Sequence, residues 1–515
     1  MNIVKSYRDK GKTRHKNIAS FGRIDKINKK EIRKLALSLI EFCNGDEKLL
    51  DINTAEEKFR KNWGAVRVIK KLWKIFDFPG IFKQLLQESK IKFDIFSTVF
   101  LMLVDRLLEP KSKLKTYEEQ AKYFGVEEIE LQHLYRALDF LADHKEEIEQ
   151  HIFDKNRDLF NMSVDVVLYD VTTLHFESVH SDILRAFGYS KDCKFNEVQI
   201  MLSLIVDLEG RPVGFDIYAG NKFEGHTLED AIEKMKYKFN INQIILIADQ
   251  AMLSKANIKT IKDSGYEYII GARMRNKSEK IKEKILNPDN YIELQVEEED
   301  VFKYKEIKID GEKLICSWSK KRAKKDKHDR ERLIEKAIKK LESGTAKLIS
   351  KRGAMKYITI TTKDEDIELN QEKIEIDEKW DGFYAIQTNS ALNSPELLLE
   401  YYHQLWRVEE SFRIFKSHLE TRPMYHSSPN RIKGHIVLCF IAFLLERTLE
   451  IELKSNNIPY SPDKIRAALQ SLQFSEVIIE NQIFYIRAPV EGLANDILRG
   501  VKVKIPPKVA IPEHF

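Results

Sequence analysis

The stretch VVLYDVTTLHFES, Val166–Ser178, decides the reading of the fold. Val166, Val167, Leu168 and Tyr169 form an unbroken apolar run of strand formers, which predicts a buried β-strand. Asp170 stands where that run ends. A carboxylate in such a place is costly unless a charge, an ion or water meets it. It either closes the strand into a turn or works with other carboxylates that the fold brings to it.

Working outward, two more strand patterns follow, VQIMLSLIVDLEG and PVGFDIYAGN, joined through a LEGRP turn. A helical stretch from Thr227 to Tyr237 leads to a fourth strand, QIILIADQ, with Asp249 near its end. A helix near Lys255–Lys262 and a strand YEYIIGAR complete the series. Three consecutive strands, a helix and a returning strand predict an α/β layer with a mixed sheet. In that topology the first and fourth strands are neighbours, and their carboxyl ends set Asp170 beside Asp249.

Around this layer the periodicity changes. The opening IVKSYRDKGKTRHKNIASFGRIDK reads as a β-hairpin with Gly11 at its turn, followed by a helix over Lys30–Phe42. From about Thr54 to Phe160 apolar residues recur at three- and four-residue intervals, as in a compact helical domain. Between about Asn276 and Lys379 short alternating segments (VFKYKEIKI, KLICSWSK, KYITITT) surround the charged stretch KKRAKKDKHDRERLIEKAIKKLE. That pattern predicts a β-rich insertion with a solvated helix. The layer resumes with DGFYAIQTN, and a long helix starts after Ser394–Pro395, an N-cap followed by an N1 proline.

Composition narrows the class. With 43% hydrophobic and 32% charged residues, the 515-residue chain reads as a soluble protein of two to four domains. The longest apolar run, Ile436–Leu445, is about half a membrane span and predicts a buried helix; no membrane partner is expected. Cys43, Cys193, Cys316 and Cys439 show no CxxC pair, so neither a disulfide framework nor a zinc site is expected, and the cytoplasm is the expected home. Net charge is +5, yet residues 1–35 hold twelve Lys/Arg against three Asp/Glu. A basic end of that kind suits a polyanion or is a solvated terminus.

The helix SPELLLEYYHQLWRVEESFRIFKSHLE carries a packing stripe, Tyr401, Leu405, Val408, Phe412, Phe415 and Leu419. Tyr402, Glu409 and Lys416 are spaced by seven and seven. At about 100° per residue they project from one line of a straight helix, beside the stripe. Tyr402, position 405, Glu409 and Lys416 together resemble the Tyr–Arg–Glu–Lys signature of the DDE transposases of bacterial insertion sequences. The resemblance extends, in the family's order, to LYDVTTLHFE, GYSKD, IYAGN, LIADQAML and RPMYH, and covers the chain from YRDKGK to about residue 450. The signature's arginine position holds Leu405, and the nearby Arg407 is the candidate to replace its phosphate contact.

The resemblance implies an RNase H-like catalytic domain over 161–275 and 380–455, with Asp170, Asp249 and Glu409 as a metal-binding triad. The other parts are then a basic hairpin and helix (1–53), a helical DNA-end-binding domain (54–160), the β-rich insertion (276–379) and a C-terminal region (456–515). Two Mg²⁺ or Mn²⁺ ions are implied, which carboxylates alone can hold. Double-stranded DNA is the implied partner, as terminal inverted repeats and as target, with a homodimer in the DNA complex and nucleoid association. Tyr402, Lys416 and Arg413 are candidate DNA contacts. Lys191 faces substrate or lies in a turn, and His426 orients a ligand or is a hydrogen-bonded histidine. Trp318 and Trp380 are expected to pack in a core, although either could stack on an extruded base.

Overall fold

The computed structural model describes residues 2–9, 12–20, 23, 28–44, 52–87, 89–160, 165–188, 196–252, 254–295, 301–309, 311–343, 352–360, 367–422 and 424–515. The chain divides into two compact units, one of residues 1–61, 473–489 and 506–515, the other of 62–472 and 490–505. The smaller unit begins with the expected hairpin. Strands β1 (Asn2–Asp9) and β2 (Lys12–Ser20) pair antiparallel, with a bulge between Ile3 and Val4. Lys12, Arg14 and Lys16 are exposed on β2. Helix α1 (Lys29–Asn44) follows, then strand β3 (Glu56–Asn62).

The larger unit opens with a helical layer: α2 (Gly64–Ile75), α3 (Phe78–Leu85), α4 (Ile95–Leu108), α5 (Lys113–Glu119), α6 (Leu131–Asp143) and α7 (Lys145–Phe160). Side-chain caps fix several of their starts. Asp94 accepts from Phe96 N and Ser97 N, and Ser112 from Lys115 N.

Next comes the sheet. Strands β4 (Val166–His175), β5 (Gln199–Asp207) and β6 (Pro212–Ala219) form an antiparallel meander. Helix α8 (Thr227–Glu233) leads to β7 (Ile245–Ala248), and α9 (Lys255–Asp263) to β8 (Glu267–Gly271). β7 pairs parallel with β4 and with β8, so the expected mixed sheet and the adjacency of its first and fourth strands are both present. Tyr169 and Val171 of β4 pack with Met201, Leu228, Ile232, Phe239, Leu246 and Ala248 in one buried core.

The segment after β8 joins this sheet instead of forming its own. After α10 (Glu279–Leu286), strands β9 (Ile292–Gln295), β10 (Val301–Ile309) and β11 (Glu312–Ser319) line up in register. Helix α11 (Lys320–Glu342), a small β12 (Ile358–Ile360)–β13 (Ile367–Leu369) pair and α12 (Gln371–Glu378) precede β14 (Phe383–Thr388). β14 bridges β8 and β11, which gives nine strands in the order β6-β5-β4-β7-β8-β14-β11-β10-β9. The cause is apolar alternation: Ile307, Leu314, Cys316 and Ala385 close a second core with Trp380.

Two further helices, α13 (Pro395–His403) and α14 (Trp406–Arg413), lead to α15 (Pro429–Ser455), which is buried along most of its length and sets Phe440 against Phe215 of β6 at 4.4 Å. Among the described residues no helix is long and apolar enough to cross a membrane. Helices α16 (Pro462–Ser471) and α17 (Gly492–Gly500) complete this unit. Strands β15 (Gln473–Ile479), β16 (Gln482–Arg487) and β17 (Val509–Ala510) belong to the smaller unit, in a sheet with β3.

Candidate active site

The register of β4 against β7 runs Val166 with Ile245, Val167 with Leu246 and Leu168 with Ile247. Continued by two residues, it sets Asp170 level with Asp249 on neighbouring chains, which in a sheet lie about 4.8 Å apart. Side chains alternate between faces, and Tyr169, Leu246 and Ala248 point into the core described above. Asp170 and Asp249 therefore share the opposite face. Helix α14 packs against β4 and β5. Both carboxyl groups are half-buried. Asp170 accepts from the Val171 N–H at 2.7 Å, and Asp249 from the Ala251 N–H at 2.6 Å.

The third expected carboxylate, Glu409, lies on α14 and is exposed. The single straight helix expected from Ser394 onward is in fact interrupted. Backbone bonds of the tighter i to i+3 type, Leu405 N to Tyr402 O (3.0 Å) and Arg407 N to Gln404 O (2.9 Å), turn the chain between α13 and α14. A π-helical turn then covers Ile414–His418. Tyr402, Glu409 and Lys416 thus do not sit on one straight helical line. The packing stripe survives the break: Leu405 is 8% exposed, and Val408, Phe412, Phe415 and Leu419 are buried.

Electrostatics tie part of the set together. Burial, and then the charges of Asp249 and Glu409, hold the Tyr402 hydroxyl above its ordinary pKa. Its ring lies 5.5 Å from that of Tyr384, whose hydroxyl is also raised, by burial first. Gly271 at the end of β8 makes room for both, since a Cβ there would stand 2.7 Å from the Tyr402 hydroxyl oxygen and 2.9 Å from that of Tyr384. Asp170 and Asp249 offer hard oxygen donors from adjacent chains, which fits a divalent cation of the magnesium type. Among the described residues, however, no three His, Cys, Asp or Glu side chains are close enough together to hold a metal ion, so Glu409 is not gathered onto the pair.

The remaining candidates scatter. Arg407 is half-buried, bonds Gln404 Oε1 at 2.8 Å and lies over the Trp406 ring at 4.9 Å. Burial, then the charge of Arg447, lowers its pKa, while Glu410 of its own helix and Asp207 and Glu209 at the β5–β6 turn oppose that shift. Arg413 is exposed and pairs with Glu410 at 3.7 Å. Lys416 is half-buried in the π turn. His426 lies away in a separate cavity, its ring 5.1 Å from that of His435. Lys191 lies outside the described residues. Trp318 donates to the Asp381 carbonyl at 3.0 Å and Trp380 is buried, both in structural settings.

Sequence reading missed Tyr384, Arg322 and Gln250. These residues line a cavity of about 680 Å³ that begins one residue after Asp249. Arg322 sits over the Tyr384 ring at 4.7 Å, although its helix, α11, reads as a solvated surface. The one signal for Gln250 was its place in LIADQAML.

Comparison with known proteins bears on this arrangement. The family model described as Transposase DDE domain matches residues 163–445, and that of the IS1634 family transposase N-terminal domain matches residues 1–48. No curated protein matches. Among solved structures, a piggyBac transposase synaptic complex with hairpin DNA aligns at 10% identity and a TM-score of 0.38, over 79% of this chain and 77% of that one. DDE domains work with divalent metal ions, which agrees with the carboxylate donors that Asp170 and Asp249 offer. With the catalytic-domain match spanning more than half of its length, the chain belongs to the DDE transposases of insertion sequences.

Proposed function

We propose that Asp170, Asp249 and Glu409 are the catalytic carboxylates of this transposase, and that they would hold two Mg²⁺ or Mn²⁺ ions. The observation that carries this is the parallel register of β4 and β7, which levels Asp170 with Asp249 on the sheet face opposite the α8–α9 core. Bound ions would activate the attacking oxygen and stabilise the departing one in phosphodiester displacement. The chain's own part is positional. Asp170 on β4 and Asp249 just past β7 are held by backbone N–H groups just ahead of them. Glu409 would complete the set from α14, which packs against β4. Burial, and then the charges of Asp249 and Glu409, keep the Tyr402 hydroxyl protonated, so that it can donate to a DNA phosphate oxygen. Lys416, Arg407, Arg413 and the basic hairpin would add phosphate contacts, and Lys191 a further one.

In this reading the protein binds the terminal inverted repeats of its own element as a homodimer, cuts them and joins the released 3′-OH to target DNA. A duplex carrying those repeats, incubated with divalent ion, should be cut at the element's end, and a pre-cut end should be joined to a second duplex. Cutting without joining would make the protein a nuclease. Tight binding without either would make it a DNA-binding protein that has lost its chemistry.

A further inference from the structure

A second cavity, of about 210 Å³, lies between the helical layer and the loop after the π turn. Its lining includes Arg106 of α4, Lys111 and Lys113 at the start of α5, Arg422 and His426 of the loop, and His435 of α15. Arg106, Lys111 and Arg422 are cationic, and Lys113 adds a fourth basic nitrogen. Glu420 is the acid among the lining residues, and it is exposed. Lys111 is neutralised by Asp105 at 3.0 Å and Glu119 at 2.8 Å.

Among the described residues, Arg106 and Lys113 are not met in that way. Arg106, Lys113 and His435 are each only 4% exposed. Arg106 gives its terminal nitrogens to the carbonyl oxygens of Leu419 (3.1 Å) and Lys111 (3.4 Å), while its buried Nε has no partner among the described residues. His435 Nδ1 is likewise unsatisfied. Lys113 has no hydrogen bond or ion pair among the described residues. Burial, then the charge of Arg106, pushes its ammonium group down to about 7. Burial and the same cations push His426 down to about 4.

Buried cations facing one cavity are costly unless an anion joins them. Guanidinium and ammonium donors converging on one space match a tetrahedral oxyanion. We propose that this cavity binds a phosphate group, with Arg106, Lys113 and Arg422 as its donors. Arg422 also reaches Nδ1 of His175 at 3.4 Å. His175 lies on β4 five residues beyond Asp170, roughly 17 Å along the strand. The phosphate is either free or part of a DNA strand that continues past the catalytic carboxylates; the second source rests on the function proposed above.

Thermal melts of the full chain in inorganic phosphate, against chloride at equal ionic strength, test the site. Phosphate should raise Tm by about 2–4 °C. Lys113→Met, which removes a buried amine with no hydrogen-bond partner among the described residues, should melt at or above wild type in chloride and gain nothing from phosphate. Should that variant not fold, Arg422→Gln replaces it with the same expectation. Equal stabilisation of both proteins, or of neither, overturns the proposal. A duplex arm then assigns the source. Weaker duplex binding by Lys113→Met, and by wild type in phosphate beyond the chloride effect, places a DNA phosphate in the cavity. Phosphate-specific stabilisation with unchanged duplex binding assigns a free phosphate instead. Loss of DNA cleavage by wild type itself would count against the catalytic reading and leave the phosphate melts decisive for the cavity.

Discussion

Glu149 and the pair Asp170–Asp249 are carboxylates set against the same sheet, yet their surroundings differ in kind. Glu149 of α7 is completely buried, accepts from the Phe215 N–H of β6 at 2.7 Å and meets Lys234 at 3.0 Å, Lys238 at 2.6 Å and Lys145 at 3.3 Å. Burial works against its charge, but the three lysines outweigh burial and hold its pKa below the ordinary value. Asp216 shares Lys234 at 2.6 Å and is shifted the other way, by burial first. Asp170, midway along β4, and Asp249, just past the end of β7, are half-buried and carry hydrogen bonds from the backbone just ahead. One carboxylate fastens a helix to the sheet. The other two face the side where chemistry is expected. The difference teaches that charge alone does not mark a catalytic acid; its neighbours and its place on the strand do.

That comparison can be broken first at Glu149. Glu149→Ala leaves three ammonium groups short of a counter-charge and should cost about 3–5 kcal/mol in a denaturant titration. Because its folded pKa is depressed, its stabilisation is present above the unfolded value near 4.5 and is lost as pH falls through the folded one. Wild type should therefore lose stability below about pH 4.5, and the variant should lose less of it there.

Leu405→Ala should have the next largest effect, about 2–3 kcal/mol, since Leu405 is 8% exposed on the buried stripe of α14. Leu405→Arg, which restores the signature residue, should lower the melting temperature without improving cleavage. A stable and more active Leu405→Arg protein would move this position from packing to the DNA surface.

The smallest effect on stability is expected in the hairpin. Lys12→Ala, Arg14→Ala and Lys16→Ala together alter only exposed side chains of β2. Melting should barely change, while the log–log salt slope of DNA binding should flatten by roughly 0.9 per lost phosphate contact. An unchanged slope would assign these charges to solvation.

Much of the sheet was legible because its signal is local. The apolar runs of β4 and β7 and the helix between them already place Asp170 beside Asp249, and the alternation of β10 and β11 is plain in the sequence. The break at Gln404–Leu405 was not legible, since neither Gly nor Pro marks it and backbone bonding alone makes the turn. Nor could the sequence show that the strands of 276–379 extend the central sheet, because that depends on pairing through β14. The cationic cavity was hidden for a similar reason: Arg106 and Lys113 lie some three hundred residues before Arg422 and His435. Only the fold brings such distant charges together.

The central claim is that Asp170 and Asp249 act as one metal-binding unit, and the most direct measurement is end cleavage by Asp170→Asn, Asp249→Asn and the double variant, each paired with a thermal melt. The account predicts unchanged melting and a loss of cleavage of about 10³-fold or more in either single variant, because metal stabilisation amounts to several kcal/mol. It further predicts that the double variant is scarcely worse than the singles, as for groups that act together. Near wild-type cleavage by either single variant, or losses that simply multiply in the double, would contradict it.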